Sequence, residues 1–153
     1  MEKLDKELQN RVWQRVQSRE KLEMPSLEQT NLRPLILTAQ ENVAAYQNLS
    51  RQIPGKDGEK ARRLWQESQK CIACMKGICR ARGEQVKVPQ LRAEKEPVKR
   101  ALMKCYHRER KLWGEWEQRS GEAEHGLVFG RLAQQAREHC VTIMEILGNL
   151  EKG

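Results

Sequence analysis

Phenylalanine occurs once in the 153 residues, and no long run of β-branched residues is present. No apolar stretch approaches the roughly 20 residues that a membrane-crossing helix needs. The opening segment, MEKLDKELQN, lacks the apolar core of a signal peptide. These absences leave a chain expected to be soluble and cytoplasmic, with no membrane partner. Five cysteines make an odd number, and Cys71, Cys74 and Cys79 crowd into one stretch. A secreted disulfide framework is therefore not expected, and reduced thiols fit better.

What remains is mostly Glu, Gln, Lys, Arg, Ala and Leu, the composition of helices. The length suits one domain with a real core. Charged residues make up 33% of the chain, enough to raise disorder as a reading, but the apolar residues recur at helical spacing. The net charge of +8 is unevenly spread: between Lys76 and Lys111 twelve Lys or Arg face Glu84, Glu94, Glu96 and Glu109. A nucleic-acid surface over 76–111 would use such a balance, yet a solvated basic face is the better reading of it, and no recognition-helix or RNA-binding aromatic signature accompanies it. Nucleic acid is not the expected partner; a homodimer is compatible with the apolar stripes.

Proline and glycine punctuate five helical patterns. The first, about 3–22, places Leu4, Leu8, Val12, Trp13 and Val16 on one face and is read as a separate amphipathic segment, 1–25, ahead of a bundle over 26–153. The second spans about 27–53, with a capping box from Ser26 and Gln29 or a true start near Thr30 or Asn31, since Pro34 fits only a first turn. Its stripe is Leu35, Ile36, Ala39, Val43, Tyr46, Leu49 and Ile53. The third, capped near Asp57, carries Ala61, Leu64, Trp65, Ser68, Cys71, Ile72, Met75, Ile78 and Cys79. The fourth has Pro97 in its first turn and presents Val98, Leu102, Cys105, Tyr106, Glu109, Leu112, Trp113 and Trp116. The fifth follows Ser120, with Glu122 and Glu124 at its positive end. Its stripe includes Val128, Phe129, Leu132, Ala136, His139, Cys140, Ile143 and Ile146. Residues 82–96 form the longest gap, so the plan is two helical hairpins joined by one long crossover.

Within the stripes, Glu109 and His139 are out of place. A carboxylate in a core costs several kcal/mol (about that order) unless it is paired, neutralised or metal-bound. Ala39, Ser68 and Ala136 are small residues at what should be the same level. Carboxylate-bridged di-iron bundles take one Glu from each of two helices and a Glu-x-x-His from each of the other two. The stretch LILTAQENVAAYQNLSRQIPG resembles the first helix of rubrerythrin-type ferritin-like proteins, where a ligand Glu precedes a Tyr by seven residues. Here the Tyr is Tyr46 and the ligand position is Ala39. CYHRERKLWGEW is similar in spacing, with Glu109 at the ligand position and Trp116 in the Tyr place. The Glu-x-x-His positions match Ser68 and Cys71 on one helix, and Ala136 and His139 in FGRLAQQAREHC.

The resemblance implies an all-α, ferritin-like four-helix bundle with an extra N-terminal helix. It also implies a di-iron site that keeps Glu109 and His139 and has lost its ligands at Ala39, Ser68 and Ala136. Too little negative charge remains there to hold two irons, so a non-catalytic scaffold or interaction protein is expected rather than an oxidase or peroxidase. The alternative is a single zinc or iron held by Glu109, His139 and Cys71. The C-x-x-C of Cys71 and Cys74 has no second pair and no βαβ setting, which weighs against a zinc knuckle or a redox motif. Glu138 stands about 100° around the helix axis from His139 and does not replace the carboxylate at 136. The tryptophans are expected to fill core space that the small residues release.

Overall fold

A computed structural model describes residues 31–152. The expected helix over 3–22 and the Ser26–Gln29 capping box lie outside the described residues. The chain divides into two units, Met1–Pro34 and Leu35–Gly153. The second holds the body of four α-helices: α1 (Arg33–Gln52, whose first two residues belong to the first unit), α2 (Gly55–Ala81), α3 (Val98–Arg119) and α4 (Gly126–Lys152). No strand occurs among the described residues.

The expected stripes are the buried faces. In α1, Leu35, Ile36, Ala39, Val43, Tyr46 and Leu49 are buried; in α2, Ala61, Leu64, Ser68, Ile72, Met75, Ile78 and Cys79. Trp65 and Cys71 are half-buried, as are Val98, Tyr106 and Trp113 of the α3 stripe and Val128 of the α4 stripe. In α3 the buried set is Ala101, Leu102, Cys105, Glu109, Leu112 and Trp116, and α4 contributes Phe129, Leu132, Ala136, His139, Cys140, Ile143 and Ile146. The apolar period of 3.6 fixes which side of each helix meets the others, and burial of that stripe holds the body together.

Packing at one end sets the chain's course. Tyr46 and Leu49 from the last turns of α1, and Ile53 just after it, pack with Ala61 and Leu64 from the first turns of α2. They meet Ala101, Leu102 and Cys105 from the start of α3, and Ile143 and Ile146 from the end of α4. Helices α1 and α4 therefore finish where α2 and α3 begin, giving an up-down-down-up order. The crossover after α2 must return along the bundle. A 27-residue helix is about 40 Å long, and a segment spanning 82–97 can reach about 50 Å when extended. Lys104 on α3 pins it, pairing with Glu94 at 3.0 Å and Glu96 at 2.9 Å. Crossover residues Leu91 to Glu94 and Glu96 line a cavity of about 220 Å³ together with Ala44, Ala45, Ala101 and Arg108.

The helix ends differ from the sequence reading in two places. The start of α2 is Gly55 rather than a cap at Asp57; Gly55 takes φ +72° directly after Pro54, which lets the chain reverse tightly between α1 and α2. Asp57 falls instead in the first turn, where a carboxylate meets the positive end of the helix and accepts a hydrogen bond from Asn149 Nδ2 at 3.0 Å. Ser120 does not begin the last helix. Its Oγ donates to the Glu117 carbonyl at 2.7 Å and closes α3, so α4 starts only at Gly126. At the far end of α2, Gly83 with φ +81° completes a Schellman cap: its N–H donates to Arg80 O at 2.9 Å and that of Glu84 to Cys79 O at 2.8 Å.

Candidate functional site

Halfway along the bundle the four helices bring polar side chains into the core. Glu109 on α3 and His139 on α4 are each 3% exposed. His139 Nδ1 lies 2.9 Å from Glu109 Oε2, and the same oxygen accepts the Tyr46 hydroxyl at 2.6 Å. The other imidazole nitrogen, Nε2, lies 2.8 Å from Glu67 Oε1 on α2. All four helices thus supply one member of a single chain of hydrogen bonds.

This chain continues outward. Asn42, buried on α1 one turn before Tyr46, donates from Nδ2 to the Cys105 carbonyl at 3.3 Å and to the Tyr46 oxygen at 3.4 Å. Its Oδ1 accepts from Arg108 Nη1 at 3.2 Å, and Arg108 Nε pairs with Glu41 at 3.4 Å. A polar path therefore crosses the body from Glu41 on one face, through Arg108, Asn42, Tyr46, Glu109 and His139, to Glu67 on another. The terminal carboxylates are partly exposed and the members between are buried or half-buried.

Protonation follows from the geometry. A neutral imidazole has one N–H; with a carboxylate against each nitrogen, it would turn a lone pair toward one of them. An imidazolium donates to both. Burial opposes that charge most strongly, but the hydrogen bond and attraction of Glu109, then those of Glu67, outweigh it and raise the His139 pKa above its ordinary 6.5. Tyr46 is held well above its ordinary range, first by burial and then by the Glu109 charge, so it remains a phenol that donates. Burial, followed by the nearness of Glu109, likewise pushes the Cys71 thiol up. A protonated thiol is a poor metal ligand and a poor nucleophile.

Beside this network lies a cavity of about 10 Å³, and its walls include Ala39, Ser68, Cys71, Glu109, Ala136 and His139. All six positions singled out by spacing converge on it. Asn42, Leu112, Trp116, Leu132 and Gln135 complete the lining. The volume is close to the lower limit for one water molecule. Trp116, in the Tyr place on α3, is 1% exposed and stacks on Phe129 with ring centroids 5.6 Å apart. Its ring takes up space next to the small residues, as the sequence leads one to expect. Trp65 and Trp113 are only half-buried.

The donor set does not fit a di-iron centre. Two bridged irons need several carboxylates and two terminal imidazoles; the cavity wall offers one carboxylate, one imidazole and a protonated thiol. Among the described residues no group of three or more His, Cys, Asp or Glu side chains is arranged to hold a metal ion. Sequence reasoning missed Glu67, Asn42 and Arg108. Asn42 was legible, since it stands at stripe spacing between Ala39 and Tyr46. Glu67 was not: it sits one residue before Ser68, off the stripe, and only the reach of its side chain brings it to His139. No family model, curated protein or solved structure matches the chain.

Proposed function

We propose that this chain is a ferritin-like, rubrerythrin-type bundle whose di-iron site is incomplete, and that it acts as a scaffold or interaction protein rather than as an oxidase or peroxidase. The observation that carries the reading is the convergence of Ala39, Ser68, Cys71, Glu109, Ala136 and His139 on one cavity. Four helices separated by up to a hundred residues share that level, as ligand positions of a bridged centre would. The up-down-down-up course with a crossover after the second helix supports the same kinship.

The electrostatics support the non-catalytic half of the reading. In a di-iron bundle the cations hold buried carboxylates together; here an imidazolium does so, with Glu109 and Glu67 on its two nitrogens. Glu109 and His139 satisfy one another, and a metal would have to displace a proton and break charge-assisted hydrogen bonds to enter.

Restoring the ligand set tests the reading. Protein purified without chelators should carry far less than one iron per chain by elemental analysis. The quadruple variant Ala39→Glu, Ser68→Glu, Cys71→His, Ala136→Glu should take up iron when refolded or expressed with it, and should be stabilised by it. Two irons per chain in the unaltered protein would overturn the non-catalytic reading. A helical, folded quadruple variant that binds no iron would overturn the kinship. A single zinc or iron in the unaltered protein, lost on Glu109→Ala or His139→Ala, would replace both with a mononuclear metal site.

A further inference from the structure

The end of the bundle opposite the Tyr46–Leu102 core holds two arginines that are only partly matched by acceptors. Arg82 caps the C-terminus of α2, and Arg119 is the last residue of α3. Arg82 Nη2 donates to Glu122 Oε1 at 3.1 Å and lies 3.2 Å from His125 Nδ1, while its guanidinium carbon stands 6.0 Å from the centre of the Phe129 ring. Arg119 Nη2 has only a loose pairing with Glu115, at 3.7 Å. Among the described residues, Arg82 Nη1 and both Nε and Nη1 of Arg119 are buried with no hydrogen-bond partner. Their side chains are 14% and 12% exposed.

Buried guanidinium N–H groups without acceptors are costly, and these belong to two side chains of like charge, which repel. Burial most of all, and the Arg82 charge last, lower the Arg119 pKa against the opposing pull of Glu115 and Glu122. Acceptors, not donors, are in deficit here. Glu122 is one planar carboxylate and serves one fork. The unmet donors come from two guanidinium planes, and a tetrahedral oxyanion presents oxygens in more than one plane.

We propose that Arg82 and Arg119 form a binding site for a phosphate-type oxyanion, free phosphate or a phosphomonoester, at the junction of α2, α3 and the 120–125 turn. Glu122, the native acceptor on Arg82, stands on that turn with its side chain 24% exposed. It covers the site as a competing carboxylate, and the anion enters as it swings out. Glu115 also faces Arg119, and Glu124 lies 3.9 Å from His125 Nδ1.

The test is calorimetric titration and thermal melting of the full chain with inorganic phosphate, against sodium chloride at matched ionic strength. The control separates a site from the general attraction of a basic protein, which salt screens. Phosphate should raise the melting temperature saturably, and acetate should not. Arg119→Gln or Arg82→Gln should weaken phosphate binding at least tenfold. Glu122→Gln, which removes the competitor, should tighten it, so the idea stays exposed even if an arginine variant folds poorly. Glycerol phosphate binding as well as the free ion assigns the site to esters; binding of the free ion alone assigns it to phosphate itself. The proposal fails if phosphate acts no differently from chloride, if acetate matches it, if a folded Arg119→Gln keeps the original affinity, or if Glu122→Gln binds no tighter.

Discussion

Replacing Glu109 by leucine should unfold this protein far more readily than replacing Glu109 and His139 together. The carboxylate accepts from Tyr46 at 2.6 Å and His139 at 2.9 Å, in a place where both acidic and imidazole side chains are 4% exposed. Its loss leaves a buried imidazole whose remaining partner, Glu67, is 38% exposed and screened by water. Two charge-assisted hydrogen bonds contribute about 1.5–3 kcal/mol each, and breaking a buried pair from one side costs about 3–5 kcal/mol. The single variant should therefore lose about 4 kcal/mol, or about 10 °C in Tm for a chain of this size. His139→Leu should lose a comparable amount, because Glu109 then keeps only Tyr46. The double variant removes both charges and strands only the Tyr46 hydroxyl, which Asn42 still approaches at 3.4 Å; its cost should be about 1–2 kcal/mol. A urea-denaturation cycle measures all four proteins. Single costs below about 1 kcal/mol, or a double cost equal to their sum, would refute the pairing on which the description of the site rests.

Two further outcomes follow from the same core. The His139 pKa is raised in the folded state, so its contribution to stability is complete below the unfolded value of about 6.5 and disappears as pH rises through the folded value. Ring-nitrogen NMR should show His139 still protonated above pH 6.5, and the stability difference between the natural protein and His139→Gln should shrink as pH rises; a midpoint at or below 6.5 contradicts this. Among the thiols, burial pushes Cys105 up to about 12 and Cys140 up to about 11, with Cys71 raised as well. Iodoacetamide at pH 8 should modify these three far more slowly than free cysteine, read by mass spectrometry, and labelling of any of them at the free rate would show that the helices do not shield it.

The body of the fold was legible because period and punctuation agree: the stripes from Leu35 to Ile146 are the buried faces, and the 82–96 gap became the crossover. The turn before α4 was not. Ser120 has the chemistry of a helix start, but it serves the preceding helix, and only the packing of 120–126 decides between the two uses. Glu109 and His139 were legible as misfits in apolar stripes, and so was the level they share with Ala39, Ser68 and Ala136. Glu67 escaped because a stripe records where a Cα–Cβ bond points and not how far a long side chain reaches from the edge of the buried face.

That hidden residue changes the electrostatic account of the site. With Glu109 alone, His139 could be a neutral ring satisfied by one hydrogen bond, and the pair would need no proton beyond its own. With Glu67 on the second nitrogen, the favourable arrangement is a cation between two anions, the same alternation a metal enforces among carboxylates. On the proposed reading, the small side chains at 39, 68 and 136 removed the negative charge that a proton could not balance, and Glu67 supplied what the imidazolium still lacked. Glu67→Gln should then lower the His139 pKa measured by NMR while leaving the Glu109 contact in place, and an unchanged titration would mean that Glu109 alone sets the charge of the site.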